Sequence, residues 1–340
     1  MGQTDALVQS PPRNWVRRAV GPVARPIRRW AWECSNVLRL GKPSLVVAYG
    51  DGFGDHLLCT ALFREMRVRG HTGLWMMSGH PSLFEGNTDV DAVVPTDWRY
   101  PELAQRWGGR SIMPNYAEII ESEDRSVAPE RHIISCMCQR AGLTGPVTLR
   151  PYMTLSPAEK DAGRLAARQI AIQSSILSAS MPIRNKQWKP DRFQEVVENL
   201  RHAYTFVQVG SPRDPQLEGV VDLRGKTSLR QTGAVMSQSL VFIGLVGFLM
   251  HLARAVDCRS VIVYGGREAP WQSGYSSNEN IFTPLDCSPC WLWSKCDHGH
   301  KCMDDINASH VIDAVHRQVE LAGEPLAVDI DDLDAPCIHS

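Results

Sequence analysis

Residues 48–62 read AYGDGFGDHLLCTAL, and this stretch decides the fold. The apolar run at 44–48 that leads into it is typical of a buried parallel strand. Beyond the glycines, apolar residues recur with helical spacing at Leu57, Leu58, Ala61 and Leu62. The glycines therefore lie on a loop that joins a strand to a helix, which predicts an α/β fold.

Asp55 puts a carboxylate at the mouth of this glycine-rich loop. In a dinucleotide site such a loop offers backbone N–H groups to a pyrophosphate, which a carboxylate would repel. A carboxylate at the carboxyl end of a strand can instead accept a proton from a hydroxyl, which favours group transfer over hydride transfer. Asp51, on the same loop, is the second candidate for this base. The alternative for Asp55 is a helix N-cap, a position that Asp favours.

The composition limits the class of protein. A chain of 340 residues is long enough for two α/β domains with separate cores. Its 36 basic and 37 acidic residues nearly cancel, so we expect no nucleic-acid partner. The sequence has no basic-then-apolar leader and no apolar run of the ~20 residues that a membrane span needs, so we expect a cytoplasmic protein. Its ten cysteines are then expected to be reduced or metal-bound.

Strands that alternate with helices imply parallel sheets, and the chain divides into four segments. They are a basic N-terminal arm (1–42), an N-terminal Rossmann-like domain (43–160), a C-terminal Rossmann-like domain (161–323) and an acidic tail (324–340). We expect the tail to be disordered. The arm interleaves tryptophans with arginines and is interrupted by Pro22 and Pro26. It is either packed on the body or partly disordered, or it lies on an anionic membrane surface, which would make the protein peripheral at the inner membrane face.

Six segments in register resemble glycosyltransferase family 9, the heptosyltransferase family of the GT-B fold, over roughly residues 44 to 320. They are the glycine loop and helix start (54–62), the turn before a strand (85–91), the Lys-Trp-Pro segment (186–193), and the segments 208–212, 222–229 and 250–253. The resemblance implies two doubly wound Rossmann-like domains, the first for the acceptor and the second for a nucleotide sugar, with parallel sheets that face each other across a cleft. It also implies an inverting enzyme that uses a nucleotide-activated sugar and needs no catalytic metal or other cofactor.

The resemblance carries residue roles as well. Asp55 is implied as the general base and Lys186 as the cation that neutralises the leaving diphosphate, with a solvated surface lysine as the alternative for Lys186. The residues expected to bind the donor are Gly210, Ser211, Gly247, Met250, His251, Gly265, Gly266 and Arg267. On the acceptor side we expect Asp51, Gly54 and His132, with Tyr116 and Arg131 as weaker candidates.

The chain departs from the family at residues 244–249, where an Asn-Asp-Ser-Gly-Pro type loop is replaced by GLVGFL. Side-chain contacts to a diphosphate are lost there, although backbone N–H groups remain, and the family's usual donor, ADP-heptose, is put in doubt. The segment 264–275 offers a compensating site, in which Arg267 could bind phosphate bidentately and Trp271 or Tyr275 could stack on a base or sugar. For His251 the alternative is a buried, satisfied helix histidine.

Four cysteines form a compact cluster near the end of the second domain, in the pattern C-x2-C-x5-C-x5-C: Cys287, Cys290, Cys296 and Cys302. Four thiolates suit a tetrahedral structural site for zinc or iron. Related heptosyltransferases that act on protein acceptors carry an iron-binding cysteine finger here, and this spacing is similar to theirs. Free cysteines or a local disulfide are the alternatives.

Three functions remain open from the sequence. The leading one is transfer of a sugar, heptose being the family's example, from a nucleotide diphosphate to a saccharide, lipid-linked or protein hydroxyl. The altered loop at 245–249 motivates the second, a sugar-nucleotide-binding or scaffold relative without catalysis. The cysteine cluster motivates the third, a metal-sensing or thiol-sensing protein.

Overall fold

A computed structural model describes residues 14–50, 52–179 and 181–337, with side chains described from residue 26 onward. It opens with a single helix, α1 (Asn14–Leu40), which runs through both prolines of the arm. The end of α1 packs on the body: Trp32 lies 5.1 Å from the ring of Tyr100, and Arg29 pairs with Glu102. Packing on the body is thus observed for the end of the arm, whereas residues 1–13 lie outside the described residues and membrane contact stays a prediction. None of the described helices combines the length and the apolar character that crossing a membrane requires.

The first lobe is a parallel sheet in the order β3-β2-β1-β4. Its strands are short and apolar, and Leu45, Val46 and Val47 are almost fully buried between helices. The elements are β1 (Leu45–Ala48), α2 (Phe53–Val68), β2 (Leu74–Met77), β3 (Ala92–Val94), α3 (Arg99–Arg106), β4 (Arg110–Ile112), β5 (Ile119–Ile120), β6 (Arg125–Ser126), α4 (Ile133–Arg140) and β7 (Pro146–Thr148). The strand, glycine loop and helix predicted from residues 44–62 are confirmed as β1 and α2.

The second lobe is a parallel sheet in the order β10-β9-β8-β11-β12-β13. A 3-10 turn (Arg184–Lys186) precedes its first long helix. The elements are α5 (Pro157–Ala162), β8 (Gln169–Ile172), α6 (Pro190–Leu200), β9 (Thr205–Gln208), β10 (Val221–Asp222), α7 (Leu229–Ser237), β11 (Val241–Leu245), α8 (Phe248–Ala255), β12 (Ser260–Gly265), α9 (Pro270–Ser273), β13 (Asn278–Phe282), α10 (Lys301–Asp304) and α11 (Ala308–Glu320).

The two lobes share an apolar contact in which α2 packs against α8. The close approach is visible at Gly54, where an added Cβ would lie 3.7 Å from the Cα of Phe248. A polar clamp adds to it, because Arg230 of α7 bonds Glu159 at 2.6 Å and the carbonyl oxygen of Ser82 in the first lobe at 3.2 Å. The loop after β1 therefore meets the start of α8 across the cleft.

The acidic tail is ordered where the structure describes it, so the expectation of disorder is wrong for residues 324–337. Its strand β14 (Ile330–Asp332) pairs antiparallel with β7, and Asp331 accepts a hydrogen bond from Arg131 at 3.1 Å. The tail leaves the second lobe and ends on the first. There β7 satisfies its backbone hydrogen bonds, and Arg131 pairs with the negative charge of Asp331. A composition rule that treats acidic segments as solvated misses such partners.

Candidate active site

Asp55 lies in the first turn of α2, at the carboxyl end of β1. The N-cap of that helix is Gly52, so the capping alternative for Asp55 is wrong. Its Oδ1 accepts a hydrogen bond from the hydroxyl of Tyr116 at 3.1 Å. A Cβ on Gly52 would lie 2.6 Å from Asp55 Oδ2, so a side chain at position 52 would displace the carboxylate from this position.

The surroundings of Asp55 suit a base. Burial raises its pKa above the ordinary value, against the hydrogen bond from Tyr116 and the charge of Lys186, which both lower it. Burial also raises the pKa of Tyr116 well above its ordinary value, so this hydroxyl stays protonated and donates. A carboxylate with a raised pKa holds a proton more readily than one in water, which favours proton transfer from a hydroxyl.

Lys186 ends the 3-10 turn of the second lobe, and its side chain is only 11% exposed. The solvated-surface alternative is therefore wrong for this lysine. Its Nζ lies 2.5 Å from Glu268 Oε1. Burial lowers the pKa of Lys186, while the charges of Glu268 and Asp55 raise it. Lys186 and Asp55 thus lie within electrostatic reach of each other, one from each lobe.

Glu268 is a site residue that the sequence analysis missed. It is buried, pairs with both Lys186 and Arg267, and accepts a hydrogen bond from Ser273 Oγ at 2.8 Å. Burial alone would raise the pKa of Glu268, but the two cations hold it down, to about 2. Its position directly after Arg267 was the available signal, since a buried arginine needs a carboxylate.

The remaining donor candidates of the second lobe are mostly engaged elsewhere. Arg267 donates Nε–H to the carbonyl oxygen of Leu292 at 3.0 Å and lies over the ring of Trp291, which does not match the expected bidentate grip on phosphate. His251 is buried and hydrogen-bonds the hydroxyl of Tyr275 at 2.7 Å. Burial and nearby His132 lower the pKa of His251 to about 3, so it is neutral, as in the satisfied-histidine alternative.

Met250 is fully buried in the core, where the hydroxyl of Tyr264 contacts its sulfur at 3.4 Å. Tyr275 is buried as well, so it does not offer a stacking face to a ligand.

The glycine candidates divide into two groups. Gly247 is the N-cap of α8 and lies beside half-buried Phe248, whose ring centroid is 5.5 Å from that of Phe53. This places two aromatic rings at the mouth of the cleft, next to Asp55. Gly265 and Gly266 instead make room for the cysteine segment, because a Cβ on either would meet Met303 or Cys302 within 3 Å.

Gly210 and Ser211 form the turn after β9, where Ser211 N–H donates to Asp214 Oδ2 at 2.9 Å. Gly210 has a φ of 134° and would meet that carboxylate if it carried a Cβ, which explains the glycine. Their role in binding a nucleotide stays a prediction.

On the acceptor side, His132 caps α4: its Nδ1 accepts from Ile134 N–H at 3.2 Å and its Nε2 donates to the carbonyl oxygen of Gly274 at 3.0 Å. Burial lowers its pKa to about 4. His132 is thus an interlobe contact, and its two nitrogens are both occupied. Asp51 lies outside the described residues.

The four cysteines are half-buried. Burial raises the pKa of Cys290 and Cys302, and the charges of neighbouring thiols, including Cys296, raise it further, which shows that the cluster is spatially close. Even so, among the described residues no group of three or more His, Cys, Asp or Glu side chains is arranged to hold a metal ion. The donor set is right for zinc or iron, and a metal ion at these four cysteines stays a prediction.

Two cavities of the described chain lie away from Asp55. They measure about 200 and 520 Å³ and share Arg150 and Asp257 in their linings. Both lie beyond the carboxyl end of α8, whereas Asp55 lies at its amino end. The size of a cavity therefore does not locate the candidate site, which is defined by charge and by the approach of the two lobes.

Two Rossmann-like domains with parallel sheets across a cleft define a protein of the GT-B fold, as the sequence predicted. The model of glycosyltransferase family 9 (heptosyltransferase) matches residues 146–295. The resemblance is thereby confirmed over residues 146–295, which match the model of this family.

Solved structures share the fold over 82% of this chain. ADP-heptose lps heptosyltransferase II of E. coli matches with 15% identity, a TM-score of 0.61 and 98% of its own length. The family 9 glycosyl transferase of Veillonella parvula matches with 16% identity, a TM-score of 0.59 and 97% of its length. The iron-containing dodecameric glycosyltransferase TibC of enterotoxigenic E. coli matches with 15% identity, a TM-score of 0.62 and 76% of its length. A comparison with curated proteins returned no match.

Proposed function

We propose that the protein is an inverting glycosyltransferase that moves a sugar from a nucleotide-diphosphate sugar onto a hydroxyl of a saccharide, lipid-linked or protein acceptor. The observation that carries the proposal is the position of Asp55. It is a carboxylate at the carboxyl end of β1, with a raised pKa and with Lys186 of the opposite lobe in electrostatic reach. The match of residues 146–295 to the model of glycosyltransferase family 9 supports the same class of reaction.

In the proposed reaction, Asp55 takes the proton of the acceptor hydroxyl while the oxygen bonds to the anomeric carbon of the donor. The bond from that carbon to the diphosphate oxygen breaks on the opposite face, and the nucleoside diphosphate leaves with the electron pair. Attack opposite the leaving group inverts the anomeric centre. Tyr116 holds Asp55 through Oδ1, which leaves Oδ2 to receive the proton.

The charges of the site fit this sequence of events. Before transfer, the carboxylates of Asp55 and Glu268 balance the cations of Lys186 and Arg267. When Asp55 accepts a proton, the cluster is left with one net positive charge. That charge arises as the leaving diphosphate becomes more negative, so the cluster stabilises the transition state more than the ground state.

Solved relatives support the donor class. TibC is known in complex with ADP-D-beta-D-heptose, and the E. coli heptosyltransferase WaaC with ADP. We infer a nucleotide-diphosphate sugar for this chain too, with heptose as one candidate sugar. Phe53 and Phe248 at the cleft mouth offer apolar faces, which suit contact with a sugar ring or a base.

One observation favours a second candidate, a sugar-nucleotide-binding relative without catalysis. The loop at 245–249 is apolar, with Leu245, Val246 and Leu249 buried, so side chains that would hold a diphosphate are absent from this described segment. Binding without turnover is the outcome that this candidate predicts.

The test begins with a thermal-shift panel of sugar nucleotides, since a ligand at a hundred times its Kd stabilises the protein by about 2.7 kcal/mol. The ligand found is then used as donor for the native chain, for Asp55→Asn and for the exposed control Asp161→Asn. We expect the native chain and the control to transfer the sugar, and Asp55→Asn to bind the donor without transferring it. Donor binding without transfer by the native chain would favour the second candidate.

A structural zinc or iron at the four cysteines is retained as a proposal on the sequence pattern alone. Elemental analysis of the purified chain, of Cys290→Ser and of the control Cys136→Ser tests it. One ion per chain that is lost only in Cys290→Ser is the expected result, and metal-free native protein would overturn it.

A further inference from the structure

The segment Leu292–Lys295 of the cysteine cluster is held from both lobes at once. On the first lobe its partner is Asp124, in the turn between β5 and β6. Trp293 N–H donates to the carbonyl oxygen of Asp124 at 2.8 Å. Ser294 N–H and Lys295 N–H both donate to Asp124 Oδ2, at 2.9 and 2.7 Å. One aspartate thus satisfies three consecutive backbone N–H groups.

The conformation of Asp124 fits this task. Its φ is 55°, in the left-handed region that few residues other than Gly, Asn and Asp adopt. Burial raises its pKa, but the two N–H groups and the charge of Lys295 outweigh burial and lower it overall, so the carboxylate is ionised. Ser126 extends the contact, since its N–H donates to Trp291 O at 3.1 Å and its Oγ accepts from Trp293 Nε1 at 3.0 Å.

On the second lobe the same segment is bound by Asn185, which directly precedes Lys186. Asn185 N–H donates to Trp293 O at 3.1 Å, and Asn185 Nδ2 donates to Lys295 O at 2.9 Å. Its Oδ1 accepts from His300 Nε2 at 2.8 Å. The side chain is 4% exposed, so its amide is satisfied from the cysteine segment on both sides.

We propose that Asp124 and Asn185 are positioning residues for the transfer reaction: they clamp residues 293–295 between the lobes and so hold Lys186 opposite Asp55. Neither residue touches the reacting atoms. The inference rests on the proposed function, because it assigns a purpose to the alignment of Asp55 and Lys186. A displacement of about 1 Å in such an alignment costs about a hundredfold in rate.

Four variants, one of them a control, test the clamp. Asn185→Asp keeps the size of the side chain but turns the donor facing Lys295 O into an acceptor, and Asn199→Asp makes the same change on the exposed face of α6. Asp124→Ala removes the acceptor for Ser294 and Lys295, whereas Asp124→Asn retains one oxygen for both. We expect kcat to fall more than tenfold in Asn185→Asp and Asp124→Ala and less than threefold in Asp124→Asn and Asn199→Asp. Donor Kd should change less than threefold in all of them.

A second readout needs no activity. Hydrogen exchange, followed by mass spectrometry without substrate, should rise at residues 184–186 in Asp124→Ala, although the substitution is in the other lobe. The inference is overturned if exchange rises only at 119–126 and 292–295, or if kcat falls only in proportion to Tm. If Asp55→Asn abolishes transfer while Asn185→Asp does not, the clamp is wrong and the proposed function stands. If Asp55→Asn transfers the sugar normally while hydrogen exchange rises at residues 184–186 in Asp124→Ala, the proposed function is wrong and the contact between the lobes stands.

Discussion

The two lobes offer different kinds of groups to the cleft. In the first lobe, Asp55 has a hydrogen bond from Tyr116 and a glycine at position 52 that leaves space around its second oxygen. In the second lobe, Lys186 and Arg267 both pair with Glu268, and none of the three side chains is more than 11% exposed. In the proposed reaction, the first lobe supplies the base, while the second acts on the cleft through the net charge of a closed cluster.

The largest effect is expected on kcat, when the positive charge of the second lobe is removed. Lys186→Met removes the cation, so the leaving diphosphate loses its main stabilising charge and kcat falls about 10²–10³-fold. Lys189→Met is the matched control on the same segment, because its side chain is 53% exposed and pairs at the surface. Steady-state kinetics measures kcat in both variants. Equal losses of kcat in Lys186→Met and Lys189→Met would contradict a special role for Lys186.

Glu268→Gln tests how much the buried carboxylate stabilises the fold, apart from its effect on turnover. It leaves Lys186 and Arg267 buried without a carboxylate, so the free energy of unfolding should fall by about 3 kcal/mol. The double variant Lys186→Met/Glu268→Gln should regain part of that stability and stay inactive. Urea unfolding measures both, with Glu279→Gln as a control whose exposed pair with Arg317 is worth under about 1 kcal/mol. A loss for Glu268→Gln no larger than that of the control would refute the buried cluster.

Gly52→Ala tests, in the first lobe, whether turnover depends on the position of the Asp55 carboxylate. Its Cβ would push on Asp55 Oδ2, so kcat should fall roughly tenfold while the chain stays folded. Gly50→Ala is the control, since nothing lies within 4 Å of its Cβ. If the two alanines behave alike in kcat, the position of the carboxylate does not depend on Gly52.

The last of these predictions concerns the pH dependence of stability. Burial lowers the pKa of His132 from 6.5 to about 4 and that of His251 to about 3, so the unfolded chain binds more protons in this range. Stability should therefore be intact above pH 6.5 and fall as the pH drops towards 4, by about 1.4 kcal/mol per pH unit for each histidine. Urea unfolding across this range should show a weaker slope in His251→Gln and an unchanged slope in exposed His202→Gln. Equal slopes in the two variants would argue that His251 titrates normally.

Much of the first lobe's part of the site could be predicted from sequence, because Asp55 is placed by its own loop and helix. Lys186 was predicted through a local segment too, although its burial was not. Glu268, and the engagement of Arg267, depend on partners that other parts of the chain bring together. The ordered tail was missed for the same reason, since its strand pairs with β7, far away in sequence.

The most direct test of the account is rescue of Asp55→Ala by a small carboxylate. With the donor identified by binding, we expect the kcat of Asp55→Ala to be about 10²–10⁴-fold below that of the native chain. Added formate should raise the kcat of this variant at least tenfold. Formate should have no effect on the native chain or on Asp161→Ala. Native-like transfer by Asp55→Ala without formate would contradict the assignment of Asp55 as the base.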